Sequence, residues 1–234
     1  MTPIAHRSGM SVAGLLVAGG CIAGPAAVAQ TAPADVATVA PGGAPVASAQ
    51  PAALTGQVGA VDRGRNRLAE RTLGVEYQAQ PNFYYCGPAA TRIALSSQGK
   101  ALSQDELAKR LGTDEAGTDS ALDITRVLNE LTGGGYETVE IRDPVAKPAQ
   151  VDRLRAHLLD ALDVDRPVVA NVKGTAVDTE GDPHSYEGGH YLTLVGYRDG
   201  GDLVRIADPA APKGGYWMTL EKVANWIAER GYSA

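Results

Sequence analysis

Every Phe, Trp and Tyr of the 234-residue chain, twelve in all, lies at or after Tyr77, so a packed core cannot begin much before residue 70. Aromatic side chains carry the largest buried area per residue, and a stretch without them has little to pack. Roughly 160 residues remain beyond that point, enough for one well-buried domain. With 44% hydrophobic residues and a formal net charge of -6, the chain reads as globular, and no basic patch points to nucleic acid. No phosphate-binding loop of the G-x-x-x-x-G-K-[ST] type occurs, which argues against an ATP-driven role.

The residues before Tyr77 need a different explanation. His6 and Arg7 form a thin positive region, Met10 to Ala23 is uncharged and largely apolar, and Ala27-Val28-Ala29 precedes Gln30. This is the pattern of a secretory signal peptide, residues 1–29, cleaved after Ala29. Gly19, Gly20, Gly24 and Pro25 interrupt the apolar run, which disfavours an uncleaved anchor and leaves no stable membrane span in the mature form. Lipidation at Cys21 is the alternative, although Ala18 stands where a lipidation signal usually has Leu. The expected location is secreted or cell-envelope. Residues 30 to 60 hold ten Ala, four Pro and four Gly with a single charge, Asp35, and read as a linker that extends to residue 72. Arg63, Arg65, Arg67 and Arg71 give its end a solvated character.

The domain expected over 73–234 divides into helices first and strands afterwards. Pro88 suits a first helical turn, and Ala89, Ala90, Ile93, Ala94 and Leu95 form an apolar stripe that stops at Gly99. Ser103 followed by Glu106 is a capping box for a second helix ending at Gly112. A third helix is expected from about Asp119 to Leu131, with Leu122, Val127, Leu128 and Leu131 inward, and a fourth from about Ala149 to Leu162. Between them Tyr136 to Ile141 alternates like an edge strand. Strands are predicted at Pro167–Lys173, His190–Tyr197, Leu203–Ala207 and Tyr216–Leu220, before a closing helix that buries Val223, Trp226 and Ile227. This order defines an α+β domain with an antiparallel sheet.

If Cys21 leaves with the signal, Cys86 is a cysteine with no partner for a disulfide, at the mouth of the first helix. A helix start favours thiolate over thiol, and the thiolate is the nucleophile. Such a nucleophile needs a base and a group that orients the base. Of four histidines, His6 departs with the signal and His157 falls inside the fourth helix. His184 lies in a loop expected from Asp178 to Gly189, and His190 opens a strand after two glycines, which makes it the stronger candidate. A hairpin centred on Gly200, with Arg198 facing Asp202, sets His190 opposite Ala210 and makes Asp208 its diagonal neighbour on the same face. A turn shifted by one residue would send Asp208 to the other face. Gln80, six residues before Cys86, could add its amide to the Cys86 backbone N–H as an oxyanion donor. The alternating acids Asp178, Glu180 and Asp182 lack the spacing of a calcium loop and read as solvated.

Gln80 with Cys86-Gly87, then Gly189-His190 before an apolar strand, then Ala207-Asp208-Pro209, resemble the papain-like cysteine peptidases of the bacteriocin-processing, double-glycine-leader type. The resemblance covers about Tyr77 to Tyr232. It implies a papain-like fold, a peptide or protein substrate, no metal or organic cofactor, and the roles nucleophile for Cys86, base for His190, orienter for Asp208 and oxyanion donor for Gln80. The chain departs from transporter-borne members in having an export signal and no nucleotide motif, as in a freestanding exported form. Cell-wall amidases, transglutaminase-like acyltransferases and a binding module that has lost turnover share the Cys-His-Asp order and stand as alternatives.

Overall fold

The computed structural model describes residues 69–100 and 102–234. The expected signal peptide and nearly all of the linker, with Cys21 and His6, lie outside the described residues. The expected α+β class is observed. The elements run β1 (Arg71–Thr72), α1 (Cys86–Ser96), α2 (Gln104–Leu111), α3 (Ala121–Thr132), β2 (Thr138–Ile141), α4 (Pro148–Asp163), β3 (Val168–Val177), β4 (Pro183–Arg198), β5 (Leu203–Ala207), β6 (Gly215–Thr219), α5 (Leu220–Ile227) and β7 (Arg230–Ser233). The strands form one antiparallel sheet in the order β2-β7-β3-β4-β5-β6, with β1 also paired to β4. No helix among the described residues is long and apolar enough to cross a membrane.

Local chemistry accounts for the helix limits. The Ser103 hydroxyl accepts from the Glu106 N–H at 3.2 Å, and Gly112 ends α2 in the left-handed region at φ 71°. Ser120 caps α3 in the same way, and Gly133 closes it at φ 87°. The inward face of α3 is rotated from expectation: Ile124, Val127 and Leu128 are fully buried, whereas Leu122 is 62% exposed.

Two cores sandwich the sheet. On one side Leu154, Leu158 and Leu162 of α4 and Val223, Trp226 and Ile227 of α5 pack on Val168, Ala170, Val172, Leu192 and Leu194. On the other, Cys86, Ala90 and Leu95 of α1, Leu107 of α2 and Leu128 of α3 pack on Val169 and Tyr191. The alternation along β3 and β4 is the period-two pattern of strands buried on both faces.

Three features differ from the sequence reading. The strand expected to open at His190 starts at Pro183 and pairs back to Val177, so His184 stands on a long hairpin rather than in a loop. A final strand, β7, unforeseen because it is four residues long and contains Gly231, inserts between β2 and β3. Arg71 and Thr72, assigned to the solvated lead-in, form β1 against Tyr197 and Gly196.

The hairpin between β4 and β5 decides the register of the site. Arg198 pairs with Leu203 and Gly196 with Arg205, one residue away from the expected alignment, which would turn Asp208 to the wrong face. A β-bulge at Val195 removes the offset. Beyond it Leu194 pairs with Ile206 and Thr193 with Ala207, the alignment that sets His190 opposite Ala210. Leu194 and Tyr197 therefore share one core while Val195 joins Ile93 and Ala207 on the opposite face. The Val195 carbonyl accepts from the Leu73 N–H at 2.9 Å, so the chain entering from β1 braces the bulge.

Gly196 lets that brace approach. A Cβ there would lie 2.6 Å from Thr72 Oγ1 and 2.8 Å from the Arg71 carbonyl oxygen. Gly196→Ala is expected to cost about 1–3 kcal/mol by overpacking. The cost is read from the denaturant midpoint and shrinks in a chain that begins after Thr72; an equal cost in both chains would remove β1 from the account.

Candidate active site

Cys86 is the first residue of α1, at the mouth of the helix as expected. Pro88 follows within the first turn, where its missing N–H breaks no helical bond. Tyr85, at the N-cap, supplies no side-chain cap, so the first N–H groups of α1 are not taken by a capping oxygen. Gly87 is needed for space: a Cβ there would meet Thr118 Oγ1 at 2.2 Å. The helix start is thereby pressed against the segment after α2.

Cys86 is 8% exposed, and its sulfur is hydrogen-bonded to His190. Backbone N–H groups of Tyr191 and Gly87 also reach it. His190, 4% exposed, uses Nε2 for Asp208 Oδ1 at 2.8 Å, which leaves Nδ1 for the sulfur. Asp208 is fully buried, and four donors surround its carboxylate. Oδ1 takes His190 Nε2 and the Ala210 N–H at 2.9 Å; Oδ2 takes the Tyr186 hydroxyl at 2.8 Å and the Tyr216 hydroxyl at 2.7 Å. Thus the structure brings Cys86, His190 and Asp208 into one hydrogen-bonded line.

Electrostatics favours a charged line. Burial alone pushes the Cys86 thiol up, but the hydrogen bond and charge of His190, with the two backbone N–H groups, bring it below the ordinary thiol value. For His190 burial opposes protonation, and the hydrogen bonds and charges of Asp208 and Cys86 outweigh it and raise the imidazole to about 9. Burial likewise pushes Asp208 up, yet the His190 hydrogen bond and charge, the Ala210 N–H and the Tyr216 hydroxyl hold it below the usual carboxylate range. Both shifts run toward the charged pair, thiolate with imidazolium, and the imidazolium is lost as the pH rises through about 9. A desolvated thiolate beside an imidazolium can attack a carbonyl carbon and return a proton to the group it displaces.

Gln80 is placed less directly. Its backbone N–H donates to the Pro209 carbonyl at 3.0 Å, which ties the loop before α1 to the segment that carries Asp208. Its side-chain Nε2 donates to the Asn82 carbonyl at 2.8 Å, so one amide hydrogen is engaged within its own loop and one is left. Asn82 in turn accepts the Tyr84 N–H on its Oδ1 at 3.2 Å, a turn that shapes the approach to Cys86.

The other candidates fall elsewhere. His157 on α4 meets the Tyr232 hydroxyl at 3.2 Å, a contact that includes none of Cys86, His190 and Asp208. His184 pairs through Nε2 with Asp178 Oδ2 at 3.0 Å and stacks on Tyr216 with ring centroids 3.6 Å apart. Asp178 is buried rather than solvated, and its Oδ1 accepts the N–H groups of Glu180 and Asp182, so that carboxylate organises its own turn. Tyr186 and Tyr216 were missing from the sequence reading. Nothing separates them in sequence from ordinary strand tyrosines, since the role of each is a hydroxyl bond to Asp208 that only the folded sheet brings about.

A buried cysteine at a helix start, bonded to a histidine that a carboxylate holds from an antiparallel sheet, defines a papain-like cysteine peptidase. The "Peptidase_C39 like family" model matches residues 72–234, and the chain belongs to that family. No curated protein matches the chain. Among solved structures it is similar to a C39-like peptidase from Bacillus anthracis, at 13% identity and TM-score 0.49, covering 71% of this chain and 95% of that one. It is also similar to the peptidase domain of Streptococcus ComA, at 21% identity and TM-score 0.44, covering 67% of this chain and 96% of that one. Xylellain, a cysteine protease from Xylella fastidiosa, matches at 14% identity and TM-score 0.46, covering 72% and 86%. At such values the membership rests on the family model.

The raised His190 value carries a pH signature. Because it lies above the ordinary 6.5, the charged imidazole contributes stability that is complete below about pH 6.5 and is lost as the pH rises through about 9. Asp208→Asn keeps the shape and removes the anion. The His190 titration, followed by NMR of the imidazole, is expected to fall by about one unit or more; an unchanged titration would show that Asp208 does not set it.

Proposed function

We propose that the chain is an exported cysteine peptidase that hydrolyses peptide bonds through Cys86, His190 and Asp208, with Gln80 in the oxyanion hole. The observation that carries the reading is the unbroken hydrogen-bonded line from Cys86 through His190 to a fully buried Asp208. The Cys86 thiolate attacks the scissile carbonyl carbon, forming an S–C bond and a negative oxygen. The Cys86 N–H and the free amide hydrogen of Gln80 receive that oxygen. The C–N bond then breaks as the His190 imidazolium passes its proton to the leaving amine. Water, deprotonated by His190, adds to the thioester carbonyl, the S–C bond breaks, and thiolate and imidazolium are restored.

The organisation proposed is a signal peptide over 1–29, a linker over 30–72 and the peptidase domain over 73–234. Its motivation is the small-x-small site before Gln30 and the aromatic-free, Ala/Pro/Gly-rich stretch that follows. The substrate class proposed is a peptide or unfolded protein segment, since the leaving group must be an amine that His190 can protonate. One solved structure similar to this chain, a double glycine motif protease, is in complex with a leader peptide. That complex supports a peptide substrate by likeness of family only.

Assays on a peptide library separate the roles. Cys86→Ala and His190→Ala are each expected to lower kcat/KM by at least ~10⁴-fold, and Gln80→Ala by roughly 10²–10³ mainly in kcat. Turnover retained in Cys86→Ala would sink the peptidase reading. Release of muropeptides from peptidoglycan without cleavage of any peptide would replace it with an amidase. Export is tested separately by sequencing the mature N-terminus, expected at Gln30.

A further inference from the structure

The hairpin of β3 and β4 opens beyond the sequence expectation, and what it carries is a stack of rings. Between Val172, which faces His190, and Gly174, which faces Tyr186, one residue of β3 spans three of β4, Glu187 to Gly189. Gly189 takes φ +100°, a conformation that side-chain-bearing residues rarely adopt, and no atom lies closer than 3.6 Å to a Cβ built there. The glycine is therefore needed for its dihedrals rather than for space. The fold-back lays the Tyr186 ring on the His190 imidazole, with centroids 3.8 Å apart and planes 24° from parallel. Behind it stands Trp226 of α5, with centroids 5.8 Å apart and planes 22° from parallel, its Nε1 donating to the Gly174 carbonyl at 3.0 Å. The Tyr186 hydroxyl reaches past the imidazole to Asp208 Oδ2 at 2.8 Å.

We propose that Tyr186 is a positioning residue that clamps both members of the His190–Asp208 pair, with its ring on the cation and its hydroxyl on the anion. The inference rests on the peptidase reading for its kinetic meaning, but its geometry stands apart from that reading. An aromatic face attracts a cation, so the ring favours imidazolium over neutral imidazole. The hydroxyl supplies one of four donors to a carboxylate that has no contact with water, and removal leaves three. The ring also covers one face of the imidazole, which limits rotation of His190 away from the sulfur. Titratable and charged groups around His190 are Cys86 from α1, Asp208 after β5, Tyr186 and Tyr191 on its own strand, and Arg230 of β7 beside Gly189. Tyr216 from β6 and Tyr77 from the loop before α1 stand one contact further out.

Two variants separate the ring from the hydroxyl. Tyr186→Leu removes both, and the alkaline limb of kcat/KM, with the His190 NMR titration in the same protein, is expected to fall by about 0.5 pH unit or more. Tyr186→Phe keeps the ring, so the limb stays within about 0.2 unit of the parent while kcat drops roughly three- to tenfold for the lost hydrogen bond. A Tyr186→Leu protein with the parent's titration overturns the proposal, and so does a Tyr186→Phe protein whose titration moves as far as that of Tyr186→Leu. Should Tyr186→Leu fail to fold by circular dichroism, the Tyr186→Phe arm decides alone: a fall of its limb by 0.5 unit or an unchanged kcat overturns the clamp. Failure of the peptidase reading looks different, because Cys86→Ala would then keep its turnover whatever the His190 titration shows.

Discussion

A carboxylate with no access to water is the constraint on which this site depends. Taking an anion out of water costs several kcal/mol unless every oxygen is met by a donor. Asp208 meets that demand with four donors from three places: His190 and Tyr186 on β4, Tyr216 on β6 and the Ala210 N–H in its own turn. The carboxylate thus joins the long hairpin to the far edge of the sheet. Loss of any one donor leaves a charge that the remaining fold must hold with less compensation.

That cage exists only in one register. Side chains alternate across a strand, so a slip of one residue would move Asp208 away from His190 and leave both without partners. The turn between β4 and β5 does introduce such a slip, and the bulge at Val195 cancels it within a few residues. β1 and Leu73 hold the bulge from outside, with the Leu73 N–H on the Val195 carbonyl. A short segment before α1 therefore helps to align a hairpin whose other end carries His190. Packing and chemistry meet at a backbone irregularity rather than at a side chain.

Much of this was legible from residue types alone. The second helix followed from its caps, Ser103 with Gly112, the third from its apolar spacing, and Cys86, His190 and Asp208 could be named from their neighbours. What escaped has a common physical cause. The extension of β3 and β4 through Gly174 to Pro183 has no apolar alternation strong enough to announce a strand, because neither face of it is fully buried. β7 is stabilised by two neighbours, β2 and β3, rather than by its own sequence. The parity of Asp208 came from a wrong turn and an unseen bulge that cancel, so the correct neighbour was reached through an alignment the structure does not use near the turn. Tyr186 could not be distinguished because the stack that gives it a role belongs to the unseen part of the hairpin, and Tyr216 because its role is a hydrogen bond to Asp208 made across the pairing of β5 with β6.

The start of α1 presents the reverse case, in which a missing interaction has a use. Helix N-termini normally satisfy their first N–H groups with a capping oxygen, and α2 and α3 do so through Ser103 and Ser120. At α1 the N-cap is Tyr85, whose hydroxyl instead reaches Asp105 Oδ1 at 3.0 Å and leaves the helix end uncapped. The Gly87 N–H then turns to the Cys86 sulfur, and the helix end lends its partial positive charge to the thiolate. A serine or aspartate at position 85 would strengthen the helix and set an oxygen in competition with the sulfur for the same N–H groups. The weaker helix start is what leaves those donors to the sulfur and to any negative oxygen that forms beside it.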